Sequence, residues 1–117
     1  MRRIVVFLIA LAWATALFGQ TTAEILGTVT DESGSVIAAA KITARNTATG
    51  IVSTTASGEN GQFRFPLLQP GKYEVTIEKA GFAKLIRNNV EIQLTERANI
   101  PAQLRVSTSQ EVITVTG

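Results

Sequence analysis

The chain has 117 residues, enough for one domain, and its 11 Lys and Arg residues outnumber its 9 Asp and Glu residues to give a formal net charge of +2. Arg2 and Arg3 account for that excess, so the rest of the chain is neutral and predicts no nucleic-acid partner. The sequence contains no Cys and no His, which excludes disulfide bonds, a Ser-His-Asp triad and the usual zinc ligands. The composition therefore argues against an enzyme, and we expect neither a cofactor nor a bound metal.

Residues 1–23 have the three parts of a secretory signal peptide, and we expect this leader to be helical. Two arginines provide the positive start, and the apolar run Ile4–Phe18 is shorter than the ~20 residues that a membrane-spanning helix needs. Small and neutral residues follow, and they allow cleavage either before Gln20 or before Glu24. The alternative is an uncleaved N-terminal anchor. On either interpretation the domain that follows is exported.

The sequence after the leader alternates apolar and polar residues with a period of two, the pattern of half-buried strands. The apolar positions are Ile25, Gly27 and Val29; Ala40, Ile42 and Ala44; Phe63 and Phe65; Tyr73, Val75 and Ile77; Val90, Ile92 and Leu94; and Ala98, Ile100, Ala102, Leu104 and Val106. A Thr- and Ser-rich stretch at 51–57 predicts one more strand. About seven short strands at this spacing predict an all-β sandwich.

Turn signals separate these strands. Asp31–Gly34 and Asn46–Gly50 are rich in turn-forming residues, and Asn60-Gly61 is a strong hairpin signal because both residues tolerate a positive φ. Pro70-Gly71 is a further turn pair. Pro101 falls inside a predicted strand, and because proline cannot donate a ladder hydrogen bond we expect that strand to lie at a sheet edge or to contain a bulge.

The segments Gly27–Gly34, Ala40–Asn46 and Asn60–Val75, followed by Gly81-Phe82, carry the pattern G-x-V-x-D-x-x-G, then N-G-x-F-x-F-x-x-L-x-P-G-x-Y-x-V, then G-F. This pattern resembles the carboxypeptidase regulatory-like domain over nearly the whole chain after the leader. The resemblance implies a seven-stranded antiparallel, transthyretin-like sandwich, also classed as carbohydrate-binding-like, with no catalytic role. Two turns depart from the pattern, where Ala38-Ala39 replaces Pro-Gly and Gln69 replaces the first proline of Pro-Pro-Gly.

The order of segments also resembles the N-terminus of Oar-like TonB-dependent outer-membrane receptors, in which a small sandwich precedes a plug and a membrane barrel. The resemblance implies a signal peptide at 1–23, a sandwich at 24–106, and a linker with a TonB-box-like segment at 107–117. It implies a place in the periplasm or outer membrane of a Gram-negative-type bacterium. It also implies TonB or the barrel as a partner, with transport carried out only by the complete receptor.

The C-terminal segment consists of an acidic residue followed by alternating apolar and hydroxyl residues: Glu111, Val112, Ile113, Thr114, Val115, Thr116 and Gly117. Such a segment can add to the edge of another protein's sheet through its main chain. The polar stretch 107–110 would give it a flexible approach. The alternative is that the same segment forms the last strand of the sandwich itself.

Three other features have both a functional and a structural interpretation. Asp31 with Glu32 could bind calcium, but an Asp in a turn normally caps its own backbone. Most aromatic residues have the apolar parity of the core, so Phe82 is the best candidate for stacking on a carbohydrate. Lys41 could form an isopeptide crosslink, but its polar parity predicts exposure. A carbohydrate-binding module and a structural spacer of a surface protein therefore remain alternatives to the interaction module.

Overall fold

The computed structural model describes residues 22–107 and 111–116, and every element in these ranges is a β-strand. The strands are β1 Ala23–Thr30, β2 Lys41–Asn46, β3 Val52–Ala56, β4 Gln62–Leu68, β5 Gly71–Glu78, β6 Lys84–Ile92, β7 Arg97–Gln103 and β8 Val112–Thr116. Within these residues there is no helix with the length and apolar character needed to span a membrane. Apart from its last two residues, the predicted leader lies outside the described residues, and Ala23 at its end already belongs to β1.

The strands form two sheets, which confirms the predicted all-β sandwich. The smaller sheet has the order β4-β1-β7 and the larger sheet has the order β3-β2-β5-β6-β8. Seven strands lie in the predicted domain, and the eighth comes from the C-terminal segment, so the described chain has eight strands and not seven. The prediction of a purely antiparallel sandwich was also wrong, because β7 pairs with β1 in parallel and β8 pairs with β6 in parallel.

The core lies between the two sheets and contains the apolar residues that the alternation predicted. Ile25 and Val29 of β1 and Ile42, Val75 and Ile77 of the larger sheet are fully buried. The rings of Phe63 and Phe65 on β4 are 3–4% exposed and meet edge to face, with their centroids 6.3 Å apart. Because a sheet buries alternate side chains, the period of two in the sequence translates directly into one inner face on each strand.

The alternation breaks once, inside β6. Tyr73 of β5 pairs with Val90 and Val75 pairs with Arg87, so β6 contains one residue more than β5 between these pairs. Asn89 has a φ of 56° at this point, which is the left-handed conformation that asparagine tolerates better than most residues. Odd-numbered residues face the core before the bulge and even-numbered residues face it after the bulge. For this reason the alternation of the sequence predicted the end of β6 but not its beginning.

Two residues on the predicted apolar parity lie outside the core. Leu94 is 54% exposed because β6 ends at Ile92 and Leu94 lies in the turn that follows. Val106 is 66% exposed because β7 ends at Gln103, and only an isolated bridge to Phe82 holds it. Pro101, in contrast, lies where it was predicted, since β7 is an edge strand of the smaller sheet.

Candidate functional site: the C-terminal edge strand and its surroundings

The candidate partner segment forms β8 on the edge of the larger sheet. Val112–Thr116 pairs in parallel with the first part of β6, and the amide of Lys84 donates to the carbonyl of Glu111 at 2.9 Å. The structure therefore shows this segment as the last strand of the sandwich, which is one of the two interpretations of its sequence. Gly117 and the linker positions 108–110 lie outside the described residues.

The hydrogen bond from Lys84 to Glu111 also fixes which backbone groups of β8 are already used. Along a strand, the N–H and C=O groups of one residue point to the same edge, and those of successive residues point to opposite edges. Since the Glu111 carbonyl faces β6, the amides of Ile113 and Val115 also face β6. The amides of Val112 and Thr114 point away from it, toward the edge that no strand covers in the described part of the chain.

Few side chains hold β8 on the sandwich. Ile113 packs partly buried against the core, whereas Val112 is 52% exposed and Val115 is 38% exposed. Thr114 and Thr116 are exposed as well. The strand is therefore bound mainly by its backbone ladder to β6, and it presents an open, weakly anchored edge of the kind that accepts another strand.

A cleft of about 1180 Å³ lies at the start of β8, and Phe82, Val106 and Val112 contribute its apolar lining. Phe82 is partly exposed and packs against the core, and it is the least buried aromatic residue in the described part of the chain, while its role in stacking on a carbohydrate stays a prediction. The turn after β5 holds it, because the Phe82 amide donates to the carbonyl of Lys79 at 3.0 Å. The other aromatic residues of the sandwich are buried in its core, and the structure therefore offers no open aromatic platform on the described surface.

The polar lining of this cleft is mixed in charge. Lys84 forms an ion pair with Glu78 at 3.0 Å, and Lys41, Lys79 and Glu111 also contribute side chains. Lys41 is exposed, as its polar parity predicted, which does not meet the requirement of an isopeptide crosslink for a buried lysine. The cleft thus has no strong preference for ligands of one charge.

Asp31 caps its own turn. One of its carboxylate oxygens accepts hydrogen bonds from the amide and the hydroxyl of Ser33, at 2.9 and 2.6 Å, and from the amide of Ser35 at 3.0 Å. The hydroxyl of Ser33, followed by these amides, lowers the pKa of Asp31 below its usual value. No group of three or more potential metal-ligating side chains occurs in residues 22–107 and 111–116. The turn role of Asp31 is therefore directly visible in its hydrogen bonds.

Glu24 joins the three strands of the smaller sheet on its outer face. The Nε atom of Arg64 on β4 donates to one carboxylate oxygen of Glu24, and the Nε atom of Arg97 on β7 donates to the other at 3.1 Å. The hydrogen bond from Arg64, followed by the positive charges of both guanidinium groups, lowers the pKa of Glu24. No sequence pattern indicated this cluster, because the two arginines lie 40 and 73 residues after Glu24.

The lowered pKa of Glu24 predicts a loss of stability in acid. A carboxylate whose pKa is lower in the folded state than in the unfolded state stabilises the fold at any pH above its unfolded-state pKa, which is about 4.3 for Glu. This stabilisation is lost as the pH falls through the lower pKa of the folded state. We expect Glu24→Gln to have a lower melting midpoint than the wild type at pH 7 and the difference to shrink below about pH 4. Thermal melts across this range test it.

The matched control for this prediction is Glu59→Gln, at an exposed turn residue. Asp31, whose pKa is also lowered, is present in the wild type and in Glu24→Gln alike. The difference between their melting midpoints therefore reports on Glu24 alone. A constant difference between the melting midpoints of wild type and Glu24→Gln from pH 7 to pH 3 would contradict the assignment.

Arg87 connects the two sheets near β8. Its side chain starts on the core-facing side of β6, and its Nη2 atom donates to the carbonyl of Pro101 on β7 at 2.8 Å. Its Nε atom is buried and has no hydrogen-bond partner among the described residues. The alternation of the sequence did not indicate an inward position for Arg87, because the bulge at Asn89 reverses the parity of this part of β6.

Comparison with known proteins agrees with this architecture. The family model described as "Carboxypeptidase regulatory-like domain" matches residues 24–105, which span β1 to β7 and exclude β8. The chain is 28% identical over 114 residues to the TonB-dependent transporter Oar of Myxococcus xanthus, an alignment that covers 97% of this chain and 11% of the transporter. It is 40% identical over 52 residues to the serine-aspartate repeat-containing protein E of Staphylococcus aureus, covering 44% of this chain and 5% of that protein.

The chain thus spans about a tenth or less of the length of these curated relatives. Among solved structures, the Bacillus anthracis TIE protein matches with a TM-score of 0.63 at 16% identity, over 74% of this chain and 17% of that one. A proposed carbohydrate-binding protein from Bacteroides uniformis matches with a TM-score of 0.58 at 17% identity, over 74% and 42%.

Hydroxyquinol 1,2-dioxygenase from Pseudomonas putida matches with a TM-score of 0.60 at 11% identity, over 78% of this chain and 58% of that one. At these low sequence identities the structural matches establish only a shared sandwich fold. Because the matches include both an enzyme and a proposed carbohydrate-binding protein, the fold does not indicate a function. The family match and the similarity to the Oar transporter indicate a non-catalytic domain. Sequence motifs, strand order and family model agree over β1 to β7, and the chain belongs to the carboxypeptidase regulatory-like domain family.

Proposed function

We propose that this chain is the exported N-terminal module of a TonB-dependent outer-membrane receptor and that it acts in protein interaction. The observation that carries the proposal is the similarity to the Oar transporter, which covers 97% of this chain and so includes segments beyond the family domain. The chain corresponds to 11% of that transporter, and on this proposal the plug and the barrel belong to the remainder of the receptor. Transport is then a property of the complete receptor, and the sandwich contributes binding.

Export follows from the leader, and the fold favours one of the two cleavage positions. Ala23 is 3% exposed and pairs with Leu68, so cleavage before Glu24 would remove a buried residue from β1. We therefore expect cleavage before Gln20 when the full chain is expressed in a Gram-negative host, with the product found in the periplasm. Mass spectrometry of the purified protein measures this end. An N-terminus at Glu24 would contradict the preference, and an intact Met1 would indicate an anchor.

The partner strand is β8, and the partner we propose is the periplasmic domain of TonB. Strand addition uses main-chain donors and acceptors, and the outward peptide groups of Val112 and Thr114 supply them while β8 stays on β6. The acidic Glu111 and the alternating side chains after it would fix the register. On this proposal TonB adds a sixth strand to the five-stranded sheet, and the sandwich holds the segment extended before TonB arrives.

Thr114→Pro tests this partner strand. The substitution removes an amide that points outward and leaves the donors of Ile113 and Val115 to β6 in place. Proline is tolerated at a strand edge when the missing amide faces solvent, so we expect the unfolding free energy to change by less than ~0.5 kcal/mol. We expect the affinity for the periplasmic domain of TonB to fall about tenfold or more, as measured by calorimetry, because the intermolecular ladder is interrupted.

Two further variants make this result interpretable. Thr114→Ala removes the same side chain and keeps the amide, so it should bind like the wild type if the main chain carries the affinity. Val115→Pro removes an amide that faces β6 and should lower the melting midpoint by roughly 4–8 °C for each ~1 kcal/mol lost. Wild-type protein that does not bind TonB, or equal affinities of Thr114→Pro and Thr114→Ala, would overturn the proposal.

The other candidates have less support. A carbohydrate-binding module usually stacks sugars on exposed aromatic rings, whereas Phe63, Phe65 and Tyr73 are core residues and Phe82 is partly buried. A purely structural spacer would explain the sandwich, but it would not explain why the similarity to the Oar transporter includes the C-terminal segment beyond the family domain.

A further inference from the structure

One end of the sandwich, here called the leader end, is where the chain enters β1. Ala23 at the start of β1 pairs with Leu68 near the end of β4, and Glu24 pairs with Arg97 at the start of β7. Gly71 at the start of β5 pairs with Ile92 at the end of β6. The leader end therefore carries the connections at 47–51, 69–70 and 93–96, together with the end of β4.

Two of these connections and the end of β4 each present one exposed large apolar side chain. Ile51 is 62% exposed, Leu67 is 78% exposed and Leu94 is 54% exposed. Ile51 and Leu67 line one small cleft of about 220 Å³. Leu67 also shares a second cleft with Thr95, the neighbour of Leu94 in sequence. Separate elements thus bring three apolar side chains to one end of the molecule, where water surrounds them.

Leu67 is held outward by its backbone. Its φ of 59° lies in the left-handed region, which is strained for a residue other than glycine. The register of β1 and β4 shifts at this place, between the pairs Ala23↔Leu68 and Ile25↔Phe65. The bulge keeps Phe65 and Leu68 in the core and turns Leu67 away from it. The strained backbone thus places the apolar side chain of Leu67 in solvent. Neither the packing of the core nor the solubility of the domain requires this position.

The position of the leader indicates what these side chains meet. Thr22 is the first described residue at this end, and only Gly19–Thr21 separate it from the apolar run Ile4–Phe18. Three extended residues reach at most ~11 Å. Whenever that apolar run is inserted in a membrane, the leader end therefore lies against the surface of the same membrane.

The C-terminal strand points in the same direction. Because β8 runs parallel to β6, it also runs toward the leader end. Charge gives this end little electrostatic preference, since Glu24, which pairs with both arginines, and Glu96 in the same cleft offset the charges of Arg64 and Arg97. A surface with apolar tips and balanced charge fits the boundary between lipid headgroups and acyl chains.

We propose that the leader end is a membrane-contacting surface, and that Ile51, Leu67 and Leu94 insert into the lipid interface while the leader is in the bilayer. This goes beyond the TonB proposal and does not depend on it, because β8 and its partner edge are not part of the contact. The contact holds the newly exported domain in one orientation on the membrane.

Single-cysteine labelling tests the contact, because the chain contains no cysteine of its own. Leu67→Cys carries an environment-sensitive fluorophore on the full chain, reconstituted through its leader into neutral phosphatidylcholine vesicles. We expect the emission to shift to shorter wavelength on reconstitution and to lose intensity when some of the lipids carry nitroxide quenchers. Little dependence on salt or on added anionic lipid is expected.

The control label is Val36→Cys, at an exposed apolar residue that bridges to Thr30 at the far end of β1. It lies roughly 25 Å from the leader end, given the length of a strand of this size, and its emission should not change. A further variant carries the label at Thr95→Cys and has Ile51, Leu67 and Leu94 replaced with serine. Its emission should lose the shift that Thr95→Cys alone shows, with an unchanged circular dichroism spectrum.

Three results would overturn the proposal. Equal emission from the Leu67 and Val36 labels in vesicles would show that the leader end stays in water. A Leu67 label that is already blue-shifted in detergent-free solution without lipid would show that protein covers this surface. A triple-serine variant that keeps the full shift would show that these side chains do not make the contact.

Discussion

Phe65→Ala is expected to remove about 3–5 kcal/mol from the free energy of unfolding. The Phe65 side chain is 3% exposed and meets the edge of the Phe63 ring, so the substitution leaves a cavity between the two sheets and removes an aromatic contact. A domain of this size has only ~5–15 kcal/mol in total. The variant should therefore accumulate poorly when the chain is expressed, and a urea melt of the purified protein should show its midpoint far below that of the wild type.

The control for Phe65→Ala is Glu74→Ala, at a residue of opposite parity on β5. Glu74 forms an ion pair with Arg45 at 3.6 Å, and the side chains are 33% and 44% exposed. Surface pairs of this kind contribute at most ~1 kcal/mol. Equal sensitivity of the two variants to urea would show that the assignment of inner and outer faces is wrong.

That contrast could be predicted from the sequence because an antiparallel pair of strands buries one parity of each strand. Phe63, Phe65, Tyr73, Val75 and Ile77 all lie in the core as their spacing predicts. The inference requires no knowledge of which strand is the neighbour. For this reason the fold class and most of the core followed from the period of two alone.

Features that depend on backbone irregularity or on long-range pairing could not be predicted in this way. The bulge at Asn89 shifts the register of β6 and hides the inward orientation of Arg87. The parallel position of β8 on β6 depends on which edge the chain reaches after leaving the smaller sheet. Phe82 is the least buried of the described aromatic residues, as the sequence indicates, but its isolated bridge to Val106 and its packing against the core could not be predicted from the sequence.

The candidate sites show the same division. The composition of Glu111 to Gly117 indicates a strand that can bind a partner, but only the pairing with β6 shows that Thr114 offers its amide outward while Val115 does not. The leader end had no signature in the sequence, because Ile51 and Leu94 come from separate connections and Leu67 comes from the bulge at the end of β4. A surface assembled from distant segments becomes visible only when the strands are placed.

Gly27 illustrates a constraint that the sequence pattern contains but does not explain. It lies on the apolar parity of β1, where the pattern alone indicates only a small residue. In the structure, a Cβ atom at Gly27 would overlap the backbone carbonyl of Ile100 on β7 and the ring of Phe63 on β4. Both neighbours are fixed, because Ile100 belongs to the parallel ladder with β1 and Phe63 belongs to the core. The glycine is what allows three strands to pack so closely.

Gly27→Ala should therefore destabilise the sandwich by at least about 3 kcal/mol, at or above the usual range for overpacking, since a backbone carbonyl cannot move aside as a flexible side chain can. The matched control is Gly34→Ala in the turn after β1, where φ is +88° and no atom lies near the added Cβ. That variant meets only the conformational penalty of a positive φ, about 1–2 kcal/mol. Urea melts of both proteins give the comparison. If Gly27→Ala is no less stable than Gly34→Ala, then β1 and β7 are not packed as closely as their register implies, and the parallel pairing that closes the smaller sheet is wrong.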